Sequence, residues 1–537
     1  MSRSRSPVVV SLLSAAVLLV SFVAVPSAAS GSSAAPVTIA GRDVPRAGHV
    51  STGTPHVVTM SALPDLVPGP TTGATVDRSP LLLDGRHSNA VSRHTAATKP
   101  ALPATVSATQ PTRILQNFAG TGLANSSCGC QPPDSNAAMG KAQILEATNL
   151  QVSVFKKATT TSLIKRTSLA TFLGTADSLS DPRVMYDNVW QRFFLTVIVI
   201  PANSSAAPAE WVAVSQTNQA SGGWWIYRLT FGGGPYAPGT LMDYPMVGMD
   251  ADSMIISTNL FNFSGNFVTG SVYALAKARI YNGLGLGVGA FNVDISSHPA
   301  FVEGIPQHQD GRLYVVSSRI PYGQTGFNVW YITNSSRPDS TTLTFQGTAA
   351  DANGAGAPNR AIQPGSGSPT LDALDGRLQA APHQLNGLVW FARAEGFPVI
   401  EYGSINESNL AVTSAIAFVA GSSYDWNPSI AVSDSGGSNP YLFLNWAYTN
   451  PSAGTNVSTQ VAGLGPADVV QNLLGVGTTL ATGGLSSFES RFGDYSSVQI
   501  DAFASGTCPA GRSALVANQQ FDASGNWVMR EARIGFC

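Results

Sequence analysis

Charge is what this chain has least of. Only 11% of its 537 residues are Asp, Glu, Lys or Arg, about half the usual share. Long amphipathic helices need a charged face, and this sequence cannot furnish many. The formal net charge of -2 and the pI near 6.4 give no electrostatic case for a nucleic-acid or anionic-membrane partner. Cysteine is nearly absent, with Cys128, Cys130, Cys508 and Cys537 the whole complement. There is no Gly-x-Ser-x-Gly elbow, no phosphate loop and no His-Glu-x-x-His. No apolar run after the N-terminal segment is long enough to span a bilayer.

That segment reads as a secretory signal. Arg3 and Arg5 form a basic start, Val8 to Val25 is apolar, and Pro26-Ser-Ala-Ala29 supplies small residues for cleavage after Ala29. An uncleaved anchor is the alternative, but no basic flank follows the run. An even cysteine count in a secreted chain favours disulfides, and four cysteines allow three pairings. A front-to-back bridge would staple the two ends. Cys508–Cys537 with Cys128–Cys130 is the other arrangement, with a strained Cys-Gly-Cys loop. A Cys-x-Cys metal or redox site lacks a neighbouring His.

From Ser30 to about Pro111 the chain is rich in Ser, Ala, Thr and Pro and keeps no period. It reads as a disordered leader. Order begins at Arg113-Ile-Leu-Gln-Asn-Phe118, a predicted strand. Thereafter a polar lead-in followed by a short apolar run recurs seven times, anchored at Asp134, Pro182, Pro245, Pro306, Pro382, Pro428 and Ser496. The spacing averages about 60 residues, which suits a four-stranded blade with generous loops. Gly354–Asn359 and Gln363–Pro369 mark loop in the longest interval. Between anchors, Trp211–Ser215 and Trp224–Leu229 flank a Gly222-Gly turn as a hairpin. Few residues follow the last anchor, so a closed ring requires Arg113–Phe118 to complete the last blade, with front-to-back cysteines locking the seam. The fold class is therefore all-β, a seven-bladed β-propeller over 113–537. Another blade count, packed sandwiches and a β-helix are the alternatives.

Pro132-Pro-Asp-Ser-Asn136, Ser180–Asp187, Asp243-Tyr-Pro with Asp250 and Ser257-Thr-Asn259, and Arg491-Phe-Gly-Asp-Tyr495 together resemble a group of secreted bacterial β-propeller proteins. That group is similar in fold to sialidase and sugar-binding propellers. The resemblance covers Arg113 to Cys537. It implies an extracellular bacterial protein and a ring, and carries over no catalytic set.

Several constellations carry chemistry. Asp243, Asp250, Asp252 and Asp494 offer hard oxygens for a structural Ca²⁺; the plainer reading is turn capping. Sialidase-type hydrolysis needs an Arg cluster, a Tyr nucleophile with a Glu partner and an acidic proton shuttle. Arg183, Arg192, Arg312, Arg377 and Arg491, with Tyr186, Tyr244 and Tyr495, lie near blade starts, but glutamate is scarce. His308 and His383 occupy matching places in Pro-Gln-His-Gln and Pro-His-Gln, as bases, zinc ligands or loop histidines. Trp190, Trp224, Trp225, Trp390, Trp426 and Trp446 suit either a sugar platform or packing between blades. Trp426, in a lead-in, is the one expected to be exposed.

The reading is a signal peptide over 1–29, a leader over 30–112 and a monomeric secreted propeller. It recognises an extracellular glycan or protein without catalysis, through lead-in loops bearing Trp426, Tyr244, Tyr495, His308 and His383. Ca²⁺ is the one expected cofactor. A carbohydrate-active hydrolase or lyase at the ring centre is the alternative, and a structural envelope protein is a third. Clustered Arg, Glu and Tyr at the channel mouth would mark the enzyme. An aromatic strip with no titratable cluster would mark binding.

Overall fold

Seven successive groups of four antiparallel strands make up the computed structural model of residues 41–66, 112–126, 129–302, 311–365, 367–437, 439–469, 477–487 and 490–537. The signal segment 1–29, Cys128, Pro306 and His308 lie outside the described residues. The innermost strands are Asn136–Met139, Ser178–Asp187, Leu241–Met249, Ser297–Pro299, His383–Leu385, Tyr424–Ser433 and Ser497–Ile500. They touch in succession, with Phe301–Val302 bridging the fourth group to the third and fifth, and the seventh touches the first.

The core follows the same circuit. Leu145 and Val154 of the first group pack with Leu195 and Val197 of the second. Equivalent clusters fill each later interface, and the last joins Ile144 and Phe155 of the first group to Leu515 and Met529 of the seventh. A sheet covered on both faces needs no polar face. Ser253–Phe261 and Tyr441–Asn450 are accordingly buried along their whole length, which accounts for the low charge.

The recurring lead-ins have a common backbone cause. Asp181, Tyr244 and Asn427 take left-handed φ values of 54° and each precedes a proline. At each the ladder to the next strand shifts, placing Asp181-Pro182, Tyr244-Pro245 and Asn427-Pro428 in β-bulges. Proline tolerates a bulge because it has no N–H to leave unpaired, and the bulge re-aims the side chain before it. Asp134 and Ser296, at φ 45° and 50°, stand at the same place before Ser135 and Ser297. The fourth anchor therefore belongs at Ser297 and not at Pro306. Ser297–Pro299 has no apolar run to announce it.

The expected closure is present. Arg113–Gly122 forms the outer strand of the seventh group, with Ile114 opposite Ile534. The cysteines, however, do not staple front to back. Cys508 bonds Cys537 within the seventh group, and Cys130 is also disulfide-bonded. The seam is held instead by the strand, by Trp527 Nε1 donating to Cys130 O at 2.8 Å, and by Asp501. That carboxylate meets Lys157 of the first group at 2.6 Å and Arg533 of the seventh at 3.1 Å.

The leader also needs correction. Residues 41–66 are not disordered. Arg42–Val44 pairs with Thr342–Ala349, the outer strand of the fourth group. Arg46–Thr52 inserts between the outer strands of the second and third groups, antiparallel to both, and His56–Thr59 adds to the second. These strands add singly to existing edges, so they carry no period. Their effect is to cover edges that would otherwise pair with other chains.

Two outcomes follow. Residues 42–59 form a strap across these outer edges; a protein beginning at Thr112 is expected to melt lower than one beginning at Thr38 and to associate as its concentration rises, read by calorimetry and light scattering, and equal melting with a monodisperse monomer would refute the strap's role. Replacing Cys508 and Cys537 with Ser should cost about 3 kcal/mol, because the bridge closes a loop across a separation of 29 residues. Urea unfolding measures it.

Candidate functional site

The bulge residues Asp181, Tyr244 and Asn427 all contact Tyr495, and four parts of the chain meet there. Tyr244 and Tyr495 stack with centroids 5.0 Å apart and planes 30° apart. Arg183 covers the outer face of Tyr495 at 4.3 Å, and Arg377 covers Tyr244 at 4.5 Å. Guanidinium groups are drawn to ring faces, more so where water is excluded. Both tyrosines are buried. The Tyr495 hydroxyl donates to Asp181 Oδ2 at 2.6 Å, and that of Tyr244 donates to Leu378 O at 2.9 Å. A tyrosine held at positive φ is strained, and such strain persists where the surroundings over-determine it.

Around this stack lie Asp134, Asp243 and Asp494. Asn149 Nδ2 donates to Asp134 Oδ2 at 2.6 Å, and the Asp494 amide donates to Asp134 Oδ1 at 3.0 Å. Arg491 Nη2 approaches both Asp494 oxygens at 3.4 Å. Arg377 is bidentate to Asp375 at 2.7 Å through each nitrogen. Asp243, Asp494, Arg377 and Arg491 are half-buried, so one side of the cluster opens to solvent. Burial raises Asp243 to about 8, with Asp181 adding repulsion and Arg377 opposing it. Burial raises Asp494 to about 7, with Arg491 pulling against the rise. Asp134 is also raised by burial and by Asp494. His298 is pushed down by burial and by Arg183 and Arg377.

The structure brings together only part of the expected set. Arg183, Arg377, Arg491, Tyr244, Tyr495, Asp243 and Asp494 converge. Arg192 stays at a hairpin, donating to Trp190 O, and Arg312 covers the ring of Tyr331. Asp250 caps the turn at the other end of the strand from Asp243, accepting from the amides of Asp252 and Ser253. Asp250 and Asp252 are thus separate from the Asp243–Asp494 pair. Among the described residues no three His, Cys, Asp or Glu side chains are grouped as metal ligands. His383 lies on an innermost strand with its ring stacked on Phe301 at 5.1 Å.

Trp426 corrects the platform expectation. It is fully buried, edge-on to Phe492 at 5.1 Å, because it points to the sheet interface just before the bulge. Trp224 and Trp446 are buried too, while Trp190 is 54% exposed at a hairpin. Missed residues include Asp372 and Asp375, carried on the long connection between the fourth and fifth groups. Leu374 of that connection packs on the tyrosine pair. The signal was the length of the interval itself, since long ordered loops often serve a site. His298 was missed as well; it sits 5.9 Å from Tyr244.

No known family profile matches the chain, and no curated protein matches it. Similar solved structures include exo-β-1,3-galactanase from Phanerochaete chrysosporium with galactose, 11% identical over 79% of this chain and 98% of that one, with a TM-score of 0.30. A Synechocystis apocarotenoid oxygenase is 10% identical over 82% and 92%, at 0.36. The WD40 domain of Toxoplasma gondii coronin is 8% identical over 80% and 87%, at 0.33. These superpositions are loose, and the description of the fold rests on strand pairing.

Tyr495→Phe keeps the ring stack but removes the hydroxyl that reaches Asp181. A loss of about 1–3 kcal/mol is expected, read as a lower urea midpoint at unchanged slope. An unchanged midpoint would mean that this hydrogen bond does not support the centre.

Proposed function

We propose that this chain is a secreted seven-bladed propeller that hydrolyses glycosidic bonds of an extracellular glycan at the mouth of its ring. The observation carrying the reading is the Asp243–Asp494 pair, half-buried beside Arg377 and Arg491, whose carboxyls burial raises to about 8 and about 7. Acetal hydrolysis asks for two carboxyl groups, one protonated and one ionised, and little else. Asp494, favoured by Arg491, ionises first and serves as base. Asp243 keeps its proton and donates it to the leaving oxygen. Water adds at the anomeric carbon as the C–O bond breaks, and its proton passes to Asp494. A titratable cluster stands where an aromatic strip would have favoured non-catalytic recognition, with Asp in place of the scarce Glu. Secretion is supported by the signal-type segment 1–29 and the disulfides. Calcium bound at these carboxylates would compete with the proton that Asp243 holds.

The test is product analysis on a panel of polysaccharides. The rate should rise through about pH 7 as Asp494 ionises and fall through about pH 8 as Asp243 loses its proton. Asp494→Asn and Asp243→Asn should each lower kcat by roughly 10²–10⁴-fold. Stability has its own sign: both carboxyls are raised on folding, so their contribution is complete below pH 4 and is lost as pH rises through about 7 to 8. Saturable binding without product at any pH would overturn hydrolysis and return the site to recognition.

A further inference from the structure

We propose that the cavity on the ring axis is a binding site for a small inorganic monoanion of halide size, held by Arg183. This inference is independent of the hydrolytic reading. The cavity measures about 50 Å³, and residues of six groups line it together with Phe301 of the bridging strand. A water needs about 10–15 Å³ of such space, so there is room for an ion with a few waters and too little for a sugar. Among the described residues the wall contains no Asp or Glu. Its permanent charge is Arg183, 6% exposed, whose Nη1 is buried with no hydrogen-bond partner among the described residues.

The neighbouring acids attract its charge but make no hydrogen bond to Nη1. Asp181 accepts from Tyr495 Oη at 2.6 Å and from Ser180 Oγ at 2.7 Å. Asp134 is taken by Asn149 and the Asp494 amide. Ser496 Oγ, on the same wall, is likewise buried without a partner. A desolvated guanidinium with an unmet N–H is costly, and a charge-assisted bond to an anion removes the cost. A halide takes N–H and O–H donors, and Arg183 Nη1 and Ser496 Oγ offer one of each on a wall without Asp or Glu among the described residues.

The experiment uses the protein from Thr38 to Cys537. Melting is followed at constant ionic strength in sodium chloride, sodium bromide and sodium gluconate, whose anion is too large for the cavity. A saturable rise in Tm with chloride and bromide over gluconate is expected, absent in Arg183→Gln. Crystals grown in bromide should show one anomalous peak within hydrogen-bond reach of Arg183 Nη1, a readout that stands even if the variant fails to fold. A Tm blind to anion identity, a shift that survives R183Q, or density beside Arg183 without anomalous signal, as water would give, would overturn the proposal.

Discussion

Two tyrosine rings held face to face between two guanidiniums form the joint on which the middle of the molecule depends. Each layer comes from a different part of the chain: Arg183 from the second group, Tyr495 from the lead-in to the seventh, Tyr244 from the third, and Arg377 from the long connection after the fourth. Each desolvated cation–ring contact is worth up to about 2 kcal/mol. Its larger role is spatial. The stack ties the second, third and seventh groups to the long connection, and it keeps Arg183 and Arg377 beside the acids Asp181 and Asp375.

The joint exists because the bulges put side chains where a regular ladder would not. Asp181, Tyr244 and Asn427 leave the ladder at equivalent points. Asn427 continues the effect laterally, donating to Tyr495 O and to Asn518 Oδ1, each at 3.1 Å. Asn518 donates in turn to Asn445 at 2.8 Å. These amides join the sixth and seventh groups beside the apolar cluster of Trp426, Phe492 and Phe521.

Much of this was legible before any coordinates. Pro182, Pro245 and Pro428 mark innermost strands because a bulge favours a residue without an N–H, Pro382 stands just before the fifth, and the closing strand follows from how little chain remains after Ser496. Ser297 was invisible because its strand is three residues long and polar, while Pro306 offered a false lead. The leader strands were invisible because the edges that receive them supply the missing pattern. For the site, the residue types at Asp243, Tyr244, Arg491, Asp494 and Tyr495 stood out, but their convergence is a property of the ring. Trp426 was misjudged because sequence does not say on which side of a bulge a neighbour points. Asp372 and Asp375 lay in a Gly- and Pro-rich stretch that reads as filler until it is seen crossing the centre.

The strap and the closing strand both precede the first group, yet their partners come late. Arg46–Thr52 lies against strands ending at Gly232 and Val293, and Arg113–Gly122 waits for Trp527–Gly535. A chain that emerges from its N-terminus must therefore carry both segments unpaired until the sheets that receive them exist. Non-local pairing of this kind is slow, and exposed strands invite association meanwhile. The final closure thus acts as a checkpoint of synthesis: a chain cut short before its last strands has a ring that cannot shut, two sticky edges at its front, and no mouth, since Asp494 and Tyr495 arrive with the same late residues.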